Sequence, residues 1–590
     1  MLSCHQRRTV LQWLWKVENK IVLKSFISSL VFIRRYSPIL ALNKMFLFGL
    51  ILIYSLSALC IVVLYVWKHR RYYYLGFKLP GQTMSSLAFL FDAKFLGTLE
   101  TFPQNMRKYW DSQRYKYLSI FKFWYGWKLI VIFVDPDIIQ KIFGKHLQKD
   151  DVIYRMAKTF TNGPSLFHEN WIAKWKSHRK IISLASFTPS ALKSYVNIFH
   201  EEANILADNL GLQAVNGQPV EANYMLGLSS FSMIVRTMAG VDLKIQQNFQ
   251  RERFTFITMV EEYTRFLFMF PIIKPWLWIP AVFALFGYKK QEIYARKQTR
   301  ELGDKIIAKV KAKVIQENAN QDKNVIREGI SAGKSDSNSE NTFEDDPEIS
   351  TDTALKKTFI EAIVRGQMDP TVPRQNLLNH DELVSELITI IFAGMDTTKV
   401  ANNVILILLA LHPKIQQEVY DEIQAVMGTD PSIAPTYDQL QELHLLTRVI
   451  KESLRLFPSG PIVGRQAAEE IQIDGYTIPK GAAIWVTIFC GPHRDPRYWS
   501  NPDRFDPDRF LPSETKGRNP NAYMPFSTGP RNCIGQKYAM LQIKTMISTI
   551  LRRYRILPGE QCTRVEDVRW EFHITMKLLS GNDIRLEPRA

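Results

Sequence analysis

The stretch Phe526-Ser527-Thr528-Gly529-Pro530-Arg531-Asn532-Cys533-Ile534-Gly535 decides how this chain is read. A thiol lies between two glycines, with an arginine two residues before it. Unperturbed thiols titrate near ~8.5, so a thiolate at neutral pH needs a cation or a metal beside it. The loop has the make-up of a tight turn that delivers a thiolate to a metal. Glycines at 529 and 535 let backbone approach a flat partner where a Cβ would collide. The Arg531 fork suits a carboxylate.

Outward from this loop, other runs are just as specific. Glu452-Ser-Leu-Arg455 sets an acid and a base on one helical face, three residues apart. Pro507-Asp508-Arg509-Phe510 follows later. Ala393-Gly394-Met395-Asp396-Thr397-Thr398 lies inside an apolar helix predicted over 383–411. Glycine is a poor choice there on propensity, and threonine can bond back to a carbonyl and open a turn. Trp175-Lys-Ser-His178-Arg179 is a fourth run, and Arg465 follows Arg455 by ten positions.

The first run matches F-x-x-G-x-R-x-C-x-G at every position, and it resembles the haem-binding loop of cytochromes P450. The resemblance covers 175–535 with five ordered motifs and 78–586 more loosely. It implies heme b with Cys533 as axial thiolate, and a thiolate in that place favours O–O cleavage. Phe526, Arg531 and Gly535 complete the loop, while Trp175, Arg179 and Arg465 meet the haem propionates. Glu452, Arg455 and Arg509 form a buried structural network behind the loop. Asp396 and Thr397 relay protons through a widened helical turn, with Gly394 at the closest approach to oxygen. The segment 175–180 followed by Phe187, the segment 534–540, and the ending Ile550 to Tyr554 look like family 4, known for ω-hydroxylation of fatty acids. Many members carry Glu where this chain has Ala393, and that Glu can be esterified to haem. Ala393 cannot be, which puts rigid terminal-carbon selectivity in doubt.

The expected fold is the P450 fold: mainly α, of α+β type, with a helical body, a small β-sheet region and an N-terminal transmembrane anchor. Helical periodicity marks 413–427, 445–456 and 533–553, and strand-like pieces lie at 117–121, 129–133 and 471–478. Residues 45–67, MFLFGLILIYSLSALCIVVLYVW, carry no charge and are long enough to span a bilayer. Lys68, His69, Arg70 and Arg71 follow at once, which predicts a single-pass signal anchor with its body on the cytosolic face of the endoplasmic reticulum membrane. A basic extension, 1–44, carries Arg7, Arg8, Lys16, Lys20, Lys24, Arg34, Arg35 and Lys44 against Glu18. It is either a dispensable piece ahead of a working start at Met45 or a mitochondrial address. A basic, proline-containing hinge occupies 68–82, and the catalytic domain occupies 83–590. Within it, the polar stretch 317–352 reads as a flexible insertion between helices at 304–314 and 354–364. The proline-broken apolar stretch 266–287 reads as a loop that dips into the membrane.

Five cysteines in 590 residues, odd in number and widely spaced, exclude a disulfide framework. A net charge of +18 points to acidic partners, and no nucleic-acid motif accompanies it. Anionic lipid and an acidic protein fit. The resemblance names the latter as NADPH–cytochrome P450 reductase, with cytochrome b5 as an optional second donor, docking on Lys174, Lys176, Lys180, Lys537 and Lys544. The implied activity is monooxygenation of an apolar small molecule with O2 and reductase electrons. The alternatives are a P450-fold isomerase or dehydratase that needs neither, and a haem-binding protein without turnover.

Overall fold

The computed structural model describes residues 40–81, 104–105, 107–108, 111, 120–125, 127–161, 163–214, 217–247, 254–264, 277, 279–332, 358–373, 377–579 and 583–589. Two units are present, 1–74 and 75–590.

In the first unit the expected span falls inside the helix Leu40–Lys68. Its large apolar side chains, Leu52, Ile53, Leu59, Ile61 and Trp67 among them, are exposed. That arrangement is stable only where something apolar surrounds it. The expected start at Met45 falls inside this helix, and residues 1–39 of the extension lie outside the described residues.

The second unit is built around one helix, His380–Leu411. Asn379 starts it with a reciprocal cap: the Glu382 amide donates to Asn379 Oδ1 (2.9 Å) and the Asn379 amide to Glu382 Oε2 (3.0 Å). Pro413 ends the run by opening the next helix, Pro413–Met427, because proline suits a first turn and not an interior. Most of the core helix is buried, polar positions such as Glu386, Asp396 and Lys399 included, as expected of a helix surrounded by others. Helices Ala222–Ala239 and Tyr288–Ala332 pack against it, and Pro189–Gln213 packs on Gln536–Arg553.

A four-stranded sheet lies in the order Ile120–Tyr125, Lys128–Phe133, Ala483–Thr487, Ile462–Gln466. Its second and third strands run parallel, with Ile132 opposite Trp485. The last strand is antiparallel and sets Arg465 opposite Ile484.

Several boundaries differ from the sequence reading. The first strand begins at Ile120, and 117–119 lie outside the described residues. The stretch 471–478 is a hairpin of Ile471–Ile473 and Tyr476–Ile478. Asp474 (φ 48°) and Gly475 (φ 78°) turn it, and both angles are those of a tight hairpin turn. The helix expected over 304–314 runs from Tyr288 to Ala332, well into the supposed insertion. Glu, Gln, Lys and Ala in this stretch are good helix formers on propensity alone. The rest of that insertion lies outside the described residues. The helix expected from 354 starts instead at Phe359, where the Thr358 hydroxyl caps it. Of 266–287, Leu277 and Phe283 are buried, while Ile279, Leu285 and Phe286 are exposed; 265–276 are not described.

Gly303 marks the crossing of Tyr288–Ala332 with the core helix: a Cβ there would sit 2.8 Å from Val384 Cγ1. Gly303→Val should therefore destabilise the fold by about 1–3 kcal/mol through overpacking. Thermal unfolding of the two proteins measures this, and an unchanged midpoint would contradict the close crossing.

Candidate active site

The cysteine loop is held at both ends by backbone. The Cys533 amide donates to the Phe526 carbonyl (2.9 Å), closing the turn. Gly529 has φ 76°, and a Cβ on it would lie 2.2 Å from the Phe143 carbonyl oxygen. This glycine is needed by the neighbouring helix Pro136–Lys145, not by a flat ligand as the sequence suggested. Gly535 is different: a Cβ there meets nothing closer than 3.9 Å, and one of the atoms met is Cys533 Sγ. The loop is open on the sulfur side, and Cys533 has accessible surface. Protein nevertheless crowds the sulfur, and this burial pushes its thiol up. The Gly535 amide and the charges of Arg179 and Lys149 oppose the rise.

The loop rests on a buried ion pair. Arg455 donates to Glu452 through Nε (2.7 Å) and Nη2 (2.8 Å), and both side chains are fully buried. Arg455 also donates to the carbonyls of His493 (2.9 Å) and Pro502 (2.7 Å). Arg509 approaches Glu452 Oε1 at 3.5 Å. The Asp506 amide donates to the same oxygen at 3.0 Å. The three residues grouped from sequence do come together. His493, in the run His493-Arg494-Asp495-Pro496, carries the brace forward. Its Nε2 accepts from the Met524 amide at 2.9 Å, two residues before Phe526, and its Nδ1 bonds the Arg455 carbonyl at 3.0 Å.

Arginines gather beside the sulfur. Arg179 donates to the Asn532 carbonyl (2.9 Å) and to Asn532 Oδ1 (2.8 Å). Its fork is spent on the loop, not left free for a propionate as expected. Arg531 stacks on Trp175, 4.4 Å from the ring centroid, and donates to the Glu169 carbonyl. Among the described residues its Nε and Nη1 have no hydrogen-bond partner. Arg465 lies over Phe143 at 4.3 Å, and its Nη1 donates to the Gly464 carbonyl (2.9 Å). Among the described residues its Nε and Nη2 meet no acceptor in hydrogen-bond geometry, although the Tyr154 hydroxyl and the Asp150 carboxylate lie near enough to support its charge. Buried guanidinium N–H groups without acceptors are costly. They fit a ligand with two carboxylates in their midst, as haem has.

The core helix supplies a second accessible patch. Ala393 is exposed and Thr397 half-buried, one turn apart, in an otherwise buried stretch. The Thr397 hydroxyl donates to the Ala393 carbonyl (2.7 Å), and the Thr398 hydroxyl to the Gly394 carbonyl (2.5 Å). The helix stays α throughout, so the widened turn expected here is absent. Gly394 also has another cause: a Cβ would lie 2.7 Å from Ile234 Cδ1, so it lets the helix Ala222–Ala239 pack close. Asp396 faces away from Thr397, since successive helical residues diverge by about 100°. It is buried against Lys399 (3.2 Å) and Lys577 (3.6 Å), and it accepts from the Thr575 hydroxyl (2.6 Å). Burial would raise its pKa, but the two lysines and Thr575 outweigh burial and hold it well below the carboxylate range. The pairing of Asp396 with Thr397 as joint relay is thus not found. Lys399 also reaches Glu261 (2.9 Å), which ties helix Thr255–Thr264 to the core.

A family model described as Cytochrome P450 matches residues 87–577. The chain belongs to the cytochrome P450 family. It is a P450 monooxygenase, and this family holds a haem whose iron takes a cysteine thiolate. Cytochrome P450 4V2 of Pongo abelii is 31% identical over 490 residues, covering 81% of this P450 and 84% of the relative. Cytochrome P450 4c3 of Drosophila melanogaster is 28% identical over 593 residues, covering 97% and 99%. Cytochrome P450 4g1 of the same organism is 31% identical over 491 residues, covering 80% and 83%. This P450 is most like family 4.

His493 generates a pH prediction. Burial, with the charges of Arg455 and Arg494, pushes its pKa from 6.5 down to about 3. The folded value lies below the unfolded one, so its contribution to stability is present above about 6.5 and is lost as pH falls toward 3. The thermal midpoint of the wild type should drop across that window. His493→Gln should start lower at neutral pH and show a shallower drop. Equal slopes would remove His493 as the acid-sensitive element.

Proposed function

We propose that this P450 hydroxylates apolar substrates with O2 and two electrons passed from NADPH through NADPH–cytochrome P450 reductase. Fatty acids, terpenoid or hormone-like lipids and xenobiotics are the candidate classes. The observation that carries the reading is the open sulfur of Cys533 beside the unpaired guanidinium groups of Arg465 and Arg531. Cys533 supplies the thiolate, and Arg465 and Arg531 bind the haem carboxylates, Arg531 with Trp175 beneath it. Arg179 fixes Asn532 and holds positive charge near the sulfur. Phe526 and Gly535 shape the loop, and Glu452, Arg455 and Arg509 brace it. Bound there, haem supplies the activation of dioxygen.

The other residues manage protons and shape. Thr397 offers its hydroxyl oxygen as an acceptor for a proton-bearing water, with its own O–H committed to Ala393. Asp396, locked between lysines, is a positioning residue that fixes the helix face presenting Thr397. Ala393 leaves the accessible face of the core helix without a carboxylate, which suits substrates other than rigidly held chain ends.

The uncharged span and its basic flank support anchoring in the endoplasmic reticulum membrane with the body cytosolic. A mitochondrial membrane is the alternative, and fractionation of full-length protein and a form starting at Met45 separates them. Lys176, Lys180 and Lys537 are exposed and suit an acidic reductase. Lys174 pairs with Glu382 (2.5 Å). Lys544 is buried and donates to the Leu440 carbonyl (2.7 Å), so it leaves the docking set.

Reconstitution with reductase, lipid and a mixture of these substrate classes tests the reading. Substrate-dependent NADPH consumption with an oxygenated product is expected. Conversion without NADPH would favour an isomerase or dehydratase instead. Cys533→Ala should abolish the thiolate-type spectrum of the reduced carbon-monoxide complex, and its persistence would overturn the ligand assignment. Thr397→Ala should keep the haem yet divert electrons to peroxide, lowering product per NADPH roughly tenfold or more, in line with one positioned proton donor. Equal coupling in mutant and wild type would exclude Thr397.

A further inference from the structure

Just past the brace of the cysteine loop, the chain turns to the core helix. Helix His444–Leu456 ends there, and Phe457, Pro458 and Ser459 run on buried toward the strand Ile462–Gln466. The Leu456 carbonyl accepts from Arg494 Nη2 (2.8 Å), and the Phe457 amide donates to the Ser453 carbonyl (2.8 Å). Ser459 is thus delivered by a segment already tied down on the cysteine side. Its hydroxyl donates to the Thr397 carbonyl at 2.8 Å.

That carbonyl lies inside an unbroken helix. A carbonyl oxygen has two lone pairs, and the serine adds a donor from outside to one that the helix already uses. The bond falls on the residue whose side chain reaches the accessible patch. Thr397 is therefore held twice: its own hydroxyl donates to the Ala393 carbonyl (2.7 Å), and its carbonyl is held by Ser459. With both fixed, the hydroxyl oxygen has a set direction in which to accept.

The hairpin of Trp570–Phe572 and Met576–Leu578 closes the arrangement. The Met576 amide donates to the Ser459 carbonyl (3.0 Å), and the Thr575 hydroxyl donates to Asp396 Oδ2 (2.6 Å). Thr575 precedes Met576 and Asp396 precedes Thr397, so the contacts form a ring through Thr397, Ser459, Met576, Thr575 and Asp396. Removing the Ser459 hydroxyl opens that ring at Thr397 and leaves Lys399 and Lys577 on Asp396. A buried hydroxyl needs an acceptor in any case, and a serine that met only this need could become alanine with no effect on turnover.

We propose that Ser459 is a positioning residue for the proton-handling hydroxyl of Thr397. This rests on the reading of Thr397 given above. The test uses the full-length holoenzyme with reductase and lipid, and its probe is the compound of the mixed panel that wild type converts fastest. Product and peroxide per NADPH are measured for wild type, Ser459→Ala, Ser459→Thr, Ser459→Val, Thr397→Ala and the double variant Ser459→Ala/Thr397→Ala. The reduced carbon-monoxide spectrum and the thermal midpoint are recorded for each. Ser459→Ala should keep the spectrum and KM yet lower product per NADPH about fivefold, the factor that one neutral hydrogen bond carries, with peroxide rising in its place. Ser459→Thr should recover coupling, and Ser459→Val, which matches it in shape, should not. The double variant should be no worse than Thr397→Ala, because both changes act through one hydroxyl. Wild-type coupling in Ser459→Ala, beside a defective Thr397→Ala, would overturn the proposal alone. So would a double variant whose defect is the product of the two single ones. Should Ser459→Ala not take up haem, equal coupling in the Thr and Val variants is the overturning result. Wild-type coupling in Thr397→Ala would mark failure of the Thr397 reading itself and would remove this proposal with it.

Discussion

The fork between Arg455 and Glu452 is the contact on which the cysteine loop depends. Both groups are sealed from water, so neither charge is tolerable alone; breaking a pair of this kind typically costs about 3–5 kcal/mol. Arg455 has more donors than Glu452 can use, and it spends the surplus on the carbonyls of His493 and Pro502. Glu452 in turn takes the Asp506 amide. A long irregular segment with no ladder of its own is thereby given acceptors and donors. His493 passes that order to Met524, and the turn closed by Phe526 and Cys533 follows. A thiol placed by two residues of backbone needs this rigidity, since a tight turn can otherwise present its side chain in several directions.

Charge is handled in opposite ways at the two walls of the site. Around Asp396 the charges are answered within the protein: Lys399 and Lys577 face Asp396, and Lys399 also faces Glu261. That cluster joins the core helix, helix Thr255–Thr264 and the strand Met576–Leu578 into one electrostatic unit. Beside Cys533, among the described residues, Arg465 and Arg531 keep N–H groups without a hydrogen-bond partner, and the nearby carboxylate of Asp150 is taken up by the Val152 and Ile153 amides. A balanced cluster stabilises the fold, whereas an unbalanced one stores an affinity for an anion. The cationic wall is consistent with a dianionic cofactor, and the balanced wall keeps Asp396 ionised.

Family membership and substrate choice rest on different parts of the chain. The loop, its brace and the core helix are shared over a match of residues 87–577, and relatives near 30% identity align over most of their length. Ala393 lies on the accessible face of the core helix and departs from the Glu found in many family 4 members. A side chain at that face can differ between relatives without touching the brace.

Sequence alone determined the cysteine loop, the Glu452–Arg455 pairing and the helices at 383–411 and 413–427, because each is written in local spacing: a turn, a three-residue offset, an apolar period closed by a cap or a proline. Tertiary structure decided what those residues do. Gly529 and Gly394 are glycines because Phe143 and Ile234 lie against them, and nothing within a few residues of either announces that neighbour. Asp396 looked like a partner for Thr397 by adjacency, yet the helix turns it toward Lys577, 181 positions further on. Arg179 looked free and is bound to Asn532. Contacts between distant segments follow from packing, and a lone polar residue carries no period from which packing could be read.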